Sequence, residues 1–396
     1  MFKAEKISEH VYWIGAIDWT LRDFHGYETG RGSTYNAYLI MADKITLVDT
    51  VKAEFRTELL HRISSIVDPK QINYIISNHS EMDHTGCLMD MIELIQPEAV
   101  YASAMGVKAI AEHFHSGHVV QAVKEGQALS LGNLTAEFIE TRMLHWPDSM
   151  FTYLKEDGLL FSQDGFGMHL ASHQRFADEI ATDITHYESA KYFANILMPF
   201  SARIGKVLDK LEQSGNDLKF IAPDHGPVWR KDTDKIIAKY RNWVERKPAK
   251  KAVVTFATMW HSTEQMARAV SDGLADGGIA VKYLPLKTSH RSDVATEVLD
   301  AAALIVGSPT INDQMFPTVA DVLTYLKGLK PKNLLGAVFG SYGWNGSATD
   351  DIKKYFEEMK ITLAADPVKV NYVPDAAALE KCYALGKTVA EQIQGM

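Results

Sequence analysis

The chain has 396 residues, 46% of them hydrophobic and 23% charged, with a net charge of −9. That length exceeds what one hydrophobic core ordinarily serves, so two domains are expected, and the composition is that of a globular protein rather than a disordered one. Residues 1–200 hold 27 Asp/Glu against 15 Lys/Arg, which argues against a nucleic-acid partner; the basic stretch from Arg230 to Lys250 reads as a solvated helix face. No apolar run reaches membrane-spanning length, and the first six residues mix in charges (Lys3, Glu5, Lys6) where a signal peptide needs an apolar region. Cys87 and Cys382 are the only cysteines, too few for a disulfide framework and unlike a zinc or iron–sulfur spacing. A cytoplasmic protein with no membrane partner is expected.

In chain order, the first half reads as strands joined by tight turns. Asn36 to Ile40 and Ile45 to Val48 flank Ala42-Asp43, and Leu129 to Leu131 and Leu134 to Glu140 flank Gly132-Asn133. Phe151 to Leu154 and Leu159 to Ser162 flank Asp157-Gly158, a pair that accepts positive φ in a hairpin turn. Helical patterns lie between, at Glu54 to Ile66, Leu88 to Ile95 and Met105 to His115. This mixture predicts a two-sheet sandwich with outer helices. Arg246 to Lys251, charged and broken by Pro248, marks the boundary between a domain of residues 1–249 and one of 250–396.

Beyond it the pattern alternates regularly. Strands are predicted at Ala252 to Ala257, Ala280 to Leu284, Ala303 to Gly307, Leu334 to Phe339 and Ala364 to Tyr372. Helices are predicted at 262–277, 291–300, 317–328, 347–359 and 375–394. Five βα units with continuously apolar strands make an α/β, doubly wound parallel sheet.

The densest chemistry lies at His79-Ser-Glu81-Met-Asp83-His84, after the apolar run Ile72 to Ile76. On extended backbone, residues 79, 81 and 83 point one way and His84 another. Two carboxylates beside imidazole favour iron or manganese over zinc. A polar loop carrying a helix cap is the plainer alternative. Three further polar residues end apolar runs: His145 before Trp146-Pro147, Asp164 before Gly165, and His225 before Gly226. Each alone reads as a cap or a satisfied core group, and 13 of the 15 histidines precede residue 226.

In the second half, strand one ends in Thr258-Met259-Trp260-His261-Ser262-Thr263, hydroxyls at a helix start that suit a phosphate. Strand three ends in Pro309-Thr310-Ile311-Asn312 and strand four in Ser341-Tyr342-Gly343-Trp344-Asn345-Gly346. These loops lie where open α/β sheets bind ligands. Either Trp344 or Tyr342 can stack on an isoalloxazine ring, and the two glycines let backbone approach it. A P-loop lysine and the dinucleotide glycine spacing are both missing, so FMN is favoured over ATP or NAD.

The spacing of His79, Asp83-His84, His145, Asp164 and His225 resembles the metallo-β-lactamase fold superfamily, with Glu81 where that signature has a second histidine. This Glu-for-His form, joined to a flavodoxin-like domain, resembles the flavodiiron proteins. Trp13-Ile-Gly-Ala-Ile-Asp-Trp19, Phe24-His-Gly26, Thr34-Tyr-Asn-Ala-Tyr38, Leu47-Val-Asp-Thr50 and Met143-Leu-His-Trp-Pro-Asp-Ser149 carry the same likeness.

The resemblance implies FMN and two iron ions. His79, Glu81 and His145 would hold one iron, Asp83 and His225 the other, and Asp164 would bridge them. His84 is a ligand in some relatives and swings away in others. His25 would be a proton donor or hydrogen-bond partner beside the site, or a structural histidine. The family often has two adjacent tyrosines where this chain has Tyr192-Phe193. The implied activity is electron transfer from a rubredoxin-like donor to dioxygen or nitric oxide. It would occur in a homodimer or homotetramer, where each flavin meets the partner's iron site. A zinc hydrolase and a flavodoxin-type electron carrier are the alternatives.

Overall fold

The computed structural model describes residues 2–396, which form two compact units. The first takes the chain up to Tyr192 together with Phe200–Val244; the second takes Phe193–Pro199 and Glu245–Met396.

The first unit holds two facing sheets. In the seven-stranded one the order is Glu5–Lys6, Val11–Trp13, Tyr38–Ile40, Thr46–Val48, Tyr74–Ser77, Ala99–Ser103 and Val120–Val123. In the five-stranded one it is Ala128–Ser130, Thr135–Glu140, Met150–Leu154, Leu159–Gln163 and Phe220–Pro223. Alternation along a strand sends successive side chains to opposite faces. Tyr38, Ile40, Val48 and Ile76 accordingly join Phe138, Leu154 and Phe161 between the sheets. Leu39, Leu47 and Ile75 turn the other way, against Leu59, Ile63, Met91 and Ile92. Those last residues belong to the helices Arg56–Ser64 and Leu88–Ile95, close to their predicted places.

Asn36 and Ala37, predicted as strand, lie outside it. The Asn36 N–H donates instead to the Asp224 carbonyl at 2.7 Å.

The second unit is a parallel sheet in the order Ala280–Pro285, Ala249–Phe256, Ala301–Ile311, Leu335–Tyr342, then the short edge pieces Thr362–Leu363 and Val368–Asn371. The last strand was expected as one run from 364 to 372. Pro367, which lacks an N–H to donate, stands between the two pieces observed. The five helices lie within a residue or two of their predicted spans, from Ser262–Asp276 to Ala376–Gln394.

Candidate functional site

Strand ends of both sheets in the first unit deliver a cluster of carboxylates and imidazoles. His79 follows Tyr74–Ser77, Asp164 follows Leu159–Gln163, and Asp224-His225 follows Phe220–Pro223. His145 comes from the loop between Thr135–Glu140 and Met150–Leu154. The extended arrangement expected across 79–83 stops at Glu81, the last extended residue before the short helix Met82–Thr85. Asp83 and His84 therefore sit on a helical turn. They do not continue the direction of His79 and Glu81, and the cluster divides accordingly.

Two groups of potential ligands result: His79, Glu81, His145 and Asp164, and Asp83, His84 and His225. In the first, His79 Nε2 lies 3.3 Å from Glu81 Oε2, and His145 Nε2 lies 3.3 Å from that same oxygen. In the second, His84 Nε2 lies 3.4 Å from Asp83 Oδ1 and His225 Nε2 lies 3.2 Å from Asp83 Oδ2. Asp164 faces both. Its Oδ2 is 3.3 Å from His79 and 3.0 Å from His145, while its Oδ1 is 3.3 Å from His84 and 3.5 Å from His225.

Close as they are, both oxygens of Asp83, both of Asp164, and Nε2 of His79 and His84 are buried without a hydrogen bond. Buried polar atoms are ordinarily satisfied, so a convergent set of orphans fits bound cations. Burial opposes charge on His84, yet Asp83, Asp224 and Asp164 hold its pKa up at about 10. Asp164 shows the converse: burial pushes its carboxyl up, and His84, His145 and His79 bring it well below the usual range. A metal ion would take the place of the imidazole protons in this balance.

Outside the cluster, groups the sequence did not single out orient its histidines. His79 Nδ1 meets Asp148 Oδ2 at 2.9 Å, and that oxygen also accepts from Ser80 N and Oγ, each at 2.7 Å. Burial raises the Asp148 pKa, but these donors and the His79 charge bring it down to about 2. His225 Nδ1 meets the Thr34 carbonyl at 2.7 Å, and His84 Nδ1 faces Asp224 Oδ2 at 3.5 Å. Such partners set the tautomer that leaves Nε2 free for a metal.

His169, also unforeseen, is fully buried beside the His225 ring at 4.7 Å. Its Nδ1 lies 2.7 Å from Ser33 Oγ and its Nε2 has no hydrogen bond. Burial, then the neighbouring His225, pushes its pKa well down and keeps the ring neutral. Tyr192 stands 5.1 Å from His169, its hydroxyl kept protonated by burial and by the charges of Asp164 and Asp83. Phe193 is buried and groups with the second unit.

A cavity of about 730 Å³ opens onto the cluster, reaching Glu81, Asp83 and His145 past Phe24, His25 and Trp146. His25 is 68% exposed at its side chain, with Nε2 3.1 Å from Glu81 Oε1.

In the second unit a cavity of about 470 Å³ lies at the carboxyl ends of the strands. Thr258, Met259, Trp260 and Ser262 line it on one side. Pro309, Thr310, Ser341, Tyr342, Gly343 and Trp344 line the other. Ile311, Asn312 and Asn345 line a smaller hollow that shares Thr310 and Trp344 with it. His261, Thr263 and Gly346 line neither. His261 is paired with Glu264 at 2.7 Å, and the Thr263 hydroxyl is 2.9 Å from Ser341 Oγ. Tyr372 and Val373, which follow the last strand and were not foreseen, complete the wall. Thr258 Oγ1 is buried without a hydrogen bond beside the first turn of a 15-residue helix, a donor pair that fits a flavin phosphate.

Comparison with known proteins agrees in both halves. Residues 34–226 match the family described as "ODP family beta lactamase", and residues 254–386 match "Flavodoxin". The nitric oxide reductase of Moorella thermoacetica is 45% identical over 391 residues, covering 98% of each chain. The solved rubredoxin oxygen:oxidoreductase of Desulfovibrio gigas is 42% identical with a TM-score of 0.97, covering 99% of each chain. The flavodiiron protein of Giardia intestinalis is 32% identical with a TM-score of 0.95, covering 100% of this chain and 98% of that one. A sandwich with two ligand groups around one carboxylate, a flavodoxin unit after it, and relatives matched end to end lead to one conclusion: the chain belongs to the flavodiiron protein family.

Proposed function

We propose that this protein is a terminal oxidoreductase. Electrons from a rubredoxin-like carrier enter through FMN bound by residues 250–396. They pass to a non-haem di-iron site in residues 1–249, which reduces dioxygen to water, nitric oxide to nitrous oxide, or both. When bound, two ferrous ions and a reduced flavin supply the four electrons that full dioxygen reduction needs. His79, Glu81 and His145 would hold one ion, Asp83 and His225 the other, with Asp164 between them and His84 turned inward. The observation that supports this most is Asp164, whose two oxygens face two separate groups of ligands.

The chain's own groups orient the site and handle protons. Asp148 and the Thr34 carbonyl hold the rings of His79 and His225. Tyr192 keeps its proton, and neutral His169 stands beside it, so both are placed to donate hydrogen bonds at the cluster's inner side. His25 touches Glu81 from the solvent side. The substrates are small and uncharged, so no ionic recognition group is needed.

We propose dual activity with dioxygen favoured. Water formation consumes four protons and nitric oxide coupling two, so loss of a donor should cost dioxygen turnover more. Metal analysis of anaerobically purified protein should find two irons per chain; stoichiometric zinc without iron would return the site to the hydrolase reading. Steady-state efficiency with both gases, using one donor system, decides the substrate. Tyr192→Phe should lower the dioxygen rate more than the nitric oxide rate, and Phe193→Tyr should leave the ratio where it is if only residue 192 serves. Negligible dioxygen turnover in the native protein would reverse the preference.

We further propose a homodimer or dimer of dimers in the cytoplasm. Trp260 and Trp344, 87% and 89% exposed on the flavin loops, support a covering partner.

A further inference from the structure

Asn36 is fully buried and every polar atom of its side chain is engaged. Its Nδ2 donates to the carbonyls of Pro223 at 2.6 Å and Gly226 at 2.8 Å, the residues that bracket Asp224-His225. Its Oδ1 accepts from the Trp13 indole N–H at 2.7 Å, and its backbone N–H donates to the Asp224 carbonyl at 2.7 Å. The same strip adds two more ties. Thr34 Oγ1 accepts from the Gly226 N–H at 2.7 Å, and the Tyr38 hydroxyl donates to the Pro223 carbonyl at 2.6 Å.

The chemistry of these bonds restricts what can stand at position 36. Two carbonyls require two donors and an indole requires an acceptor, and among uncharged side chains a carboxamide supplies both. The Trp13 donor is itself held fast, with the guanidinium carbons of Arg62 and Arg175 4.4 and 4.1 Å from its ring. Gly226 has φ +79°, and a Cβ there would meet Met168 at 2.6 Å, so the loop has little room to relax elsewhere. The tautomer follows as well. A carbonyl only accepts, so His225 Nδ1 must donate to Thr34 and its Nε2 lone pair faces Asp83 and Asp164.

We propose that Asn36 is a positioning residue for His225, holding the loop Pro223–Gly226 in the one register that presents Nε2 to the metal-binding cluster. This rests on the reading of His225 as a metal ligand. Asn36 touches neither metal nor substrate and acts through the loop. It is thus expected to govern the His225 position selectively, while the position served by His79, Glu81 and His145 is held from other strands.

The test uses the full-length protein. Asn36→Asp keeps the size of the side chain and removes both donors. Trp13→Phe keeps an aromatic ring near the two guanidiniums and removes the indole N–H with the five-membered ring that carries it. His225→Ala is the reference. Ferrous iron is titrated against a chelator, FMN per chain is measured, and Mössbauer spectra distinguish the two iron positions. Asn36→Asp should weaken iron at the His225 position by about 10–100-fold, the usual effect of losing a second-layer partner, and leave the other position and FMN content unchanged. Trp13→Phe should shift the same position in the same direction by less. Equal weakening of both positions, or no weakening, would overturn the proposal. If Asn36→Asp does not fold, Trp13→Phe decides, and native affinity at the His225 position there overturns it. Native iron binding in His225→Ala would instead remove the ligand reading on which the proposal stands.

Discussion

Asp164 shows how much one residue's placement decides. Its two oxygens meet different pairs of histidines, and no other carboxylate in the cluster is shared in that way. Asp164→Ala should therefore weaken iron binding by more than the about 10–100-fold typical of an outer hydrogen-bond partner. Iron per chain after chelator treatment checks it, and native retention would deny the bridging role. At this scale the ligand types were legible in sequence because seven of them end strands or turns in recognisable patterns. Their grouping came from the family resemblance and not from alternation. Glu81 ends the extended segment and Asp83 begins a helical turn, so alternation assigned Asp83 to the wrong neighbours. Asp148 and His169 were illegible for another reason. Each meets its partners across separations of 56 to 136 residues, and neither sits in a pattern of its own.

Elements show where local rules suffice. Asp157-Gly158 was read as a two-residue hairpin turn, and Gly158 has φ +60°, but Leu154 pairs with Leu159, so the turn takes in residues 155–158. Asp157 also does something the turn rule did not contain. Its carboxylate accepts from Ser8 Oγ, from the His10 backbone N–H at 3.0 Å, and lies 2.6 Å from His10 Nδ1. Burial raises its pKa, and the hydrogen bonds to His10 and Ser8 overcome that and lower it.

A carboxyl with a depressed folded pKa stabilises the fold above its unfolded value, near about 3.9, and the contribution is lost as pH falls through the folded value. Asp157→Asn should thus cost about 1–3 kcal/mol at neutral pH. Denaturant melts from pH 7 downward should show that gap closing only below about pH 4. A gap independent of pH would mean the charge is irrelevant.

The flavin loops are a second case. The carboxyl strand ends identified them, except that Tyr372 and Val373, just past the end of the last strand, were not read as part of the site. Thr258→Val, removing the unpartnered hydroxyl, should lower FMN affinity by about 10-fold with iron unchanged. Unaltered flavin binding, read by fluorescence on dilution, would place the phosphate elsewhere.

For the whole molecule, the proposed dimer makes a complementation experiment decisive. If each flavin serves the partner's iron, mixing subunits of Asp164→Ala with subunits that cannot hold FMN should restore a single working pair. An equal mixture with random exchange should then regain about a quarter of native turnover, since about half of the dimers are mixed and each has one working pair of two. Recovery absent at every mixing ratio would confine transfer to one chain. Domain order and fold class were legible at this scale because strand periodicity and βα alternation are local and repeated. One excursion of the chain was not.

Residues Phe193–Pro199 depart from the first unit and are counted in the second, where Asn195 Nδ2 donates to the Ser292 carbonyl at 3.2 Å and Asn195 Oδ1 accepts from the Tyr325 hydroxyl at 2.8 Å. The polypeptide consequently passes between the two units three times, at 192–193, 199–200 and 244–245, rather than once. The second unit is therefore built from two separate stretches of the chain. Cleaving the backbone between Glu245 and Ala249 should leave both pieces together on a sizing column. An excised 250–396 fragment should melt lower than the same unit within the intact chain, because it lacks residues 193–199 and 245–249, twelve residues of that unit.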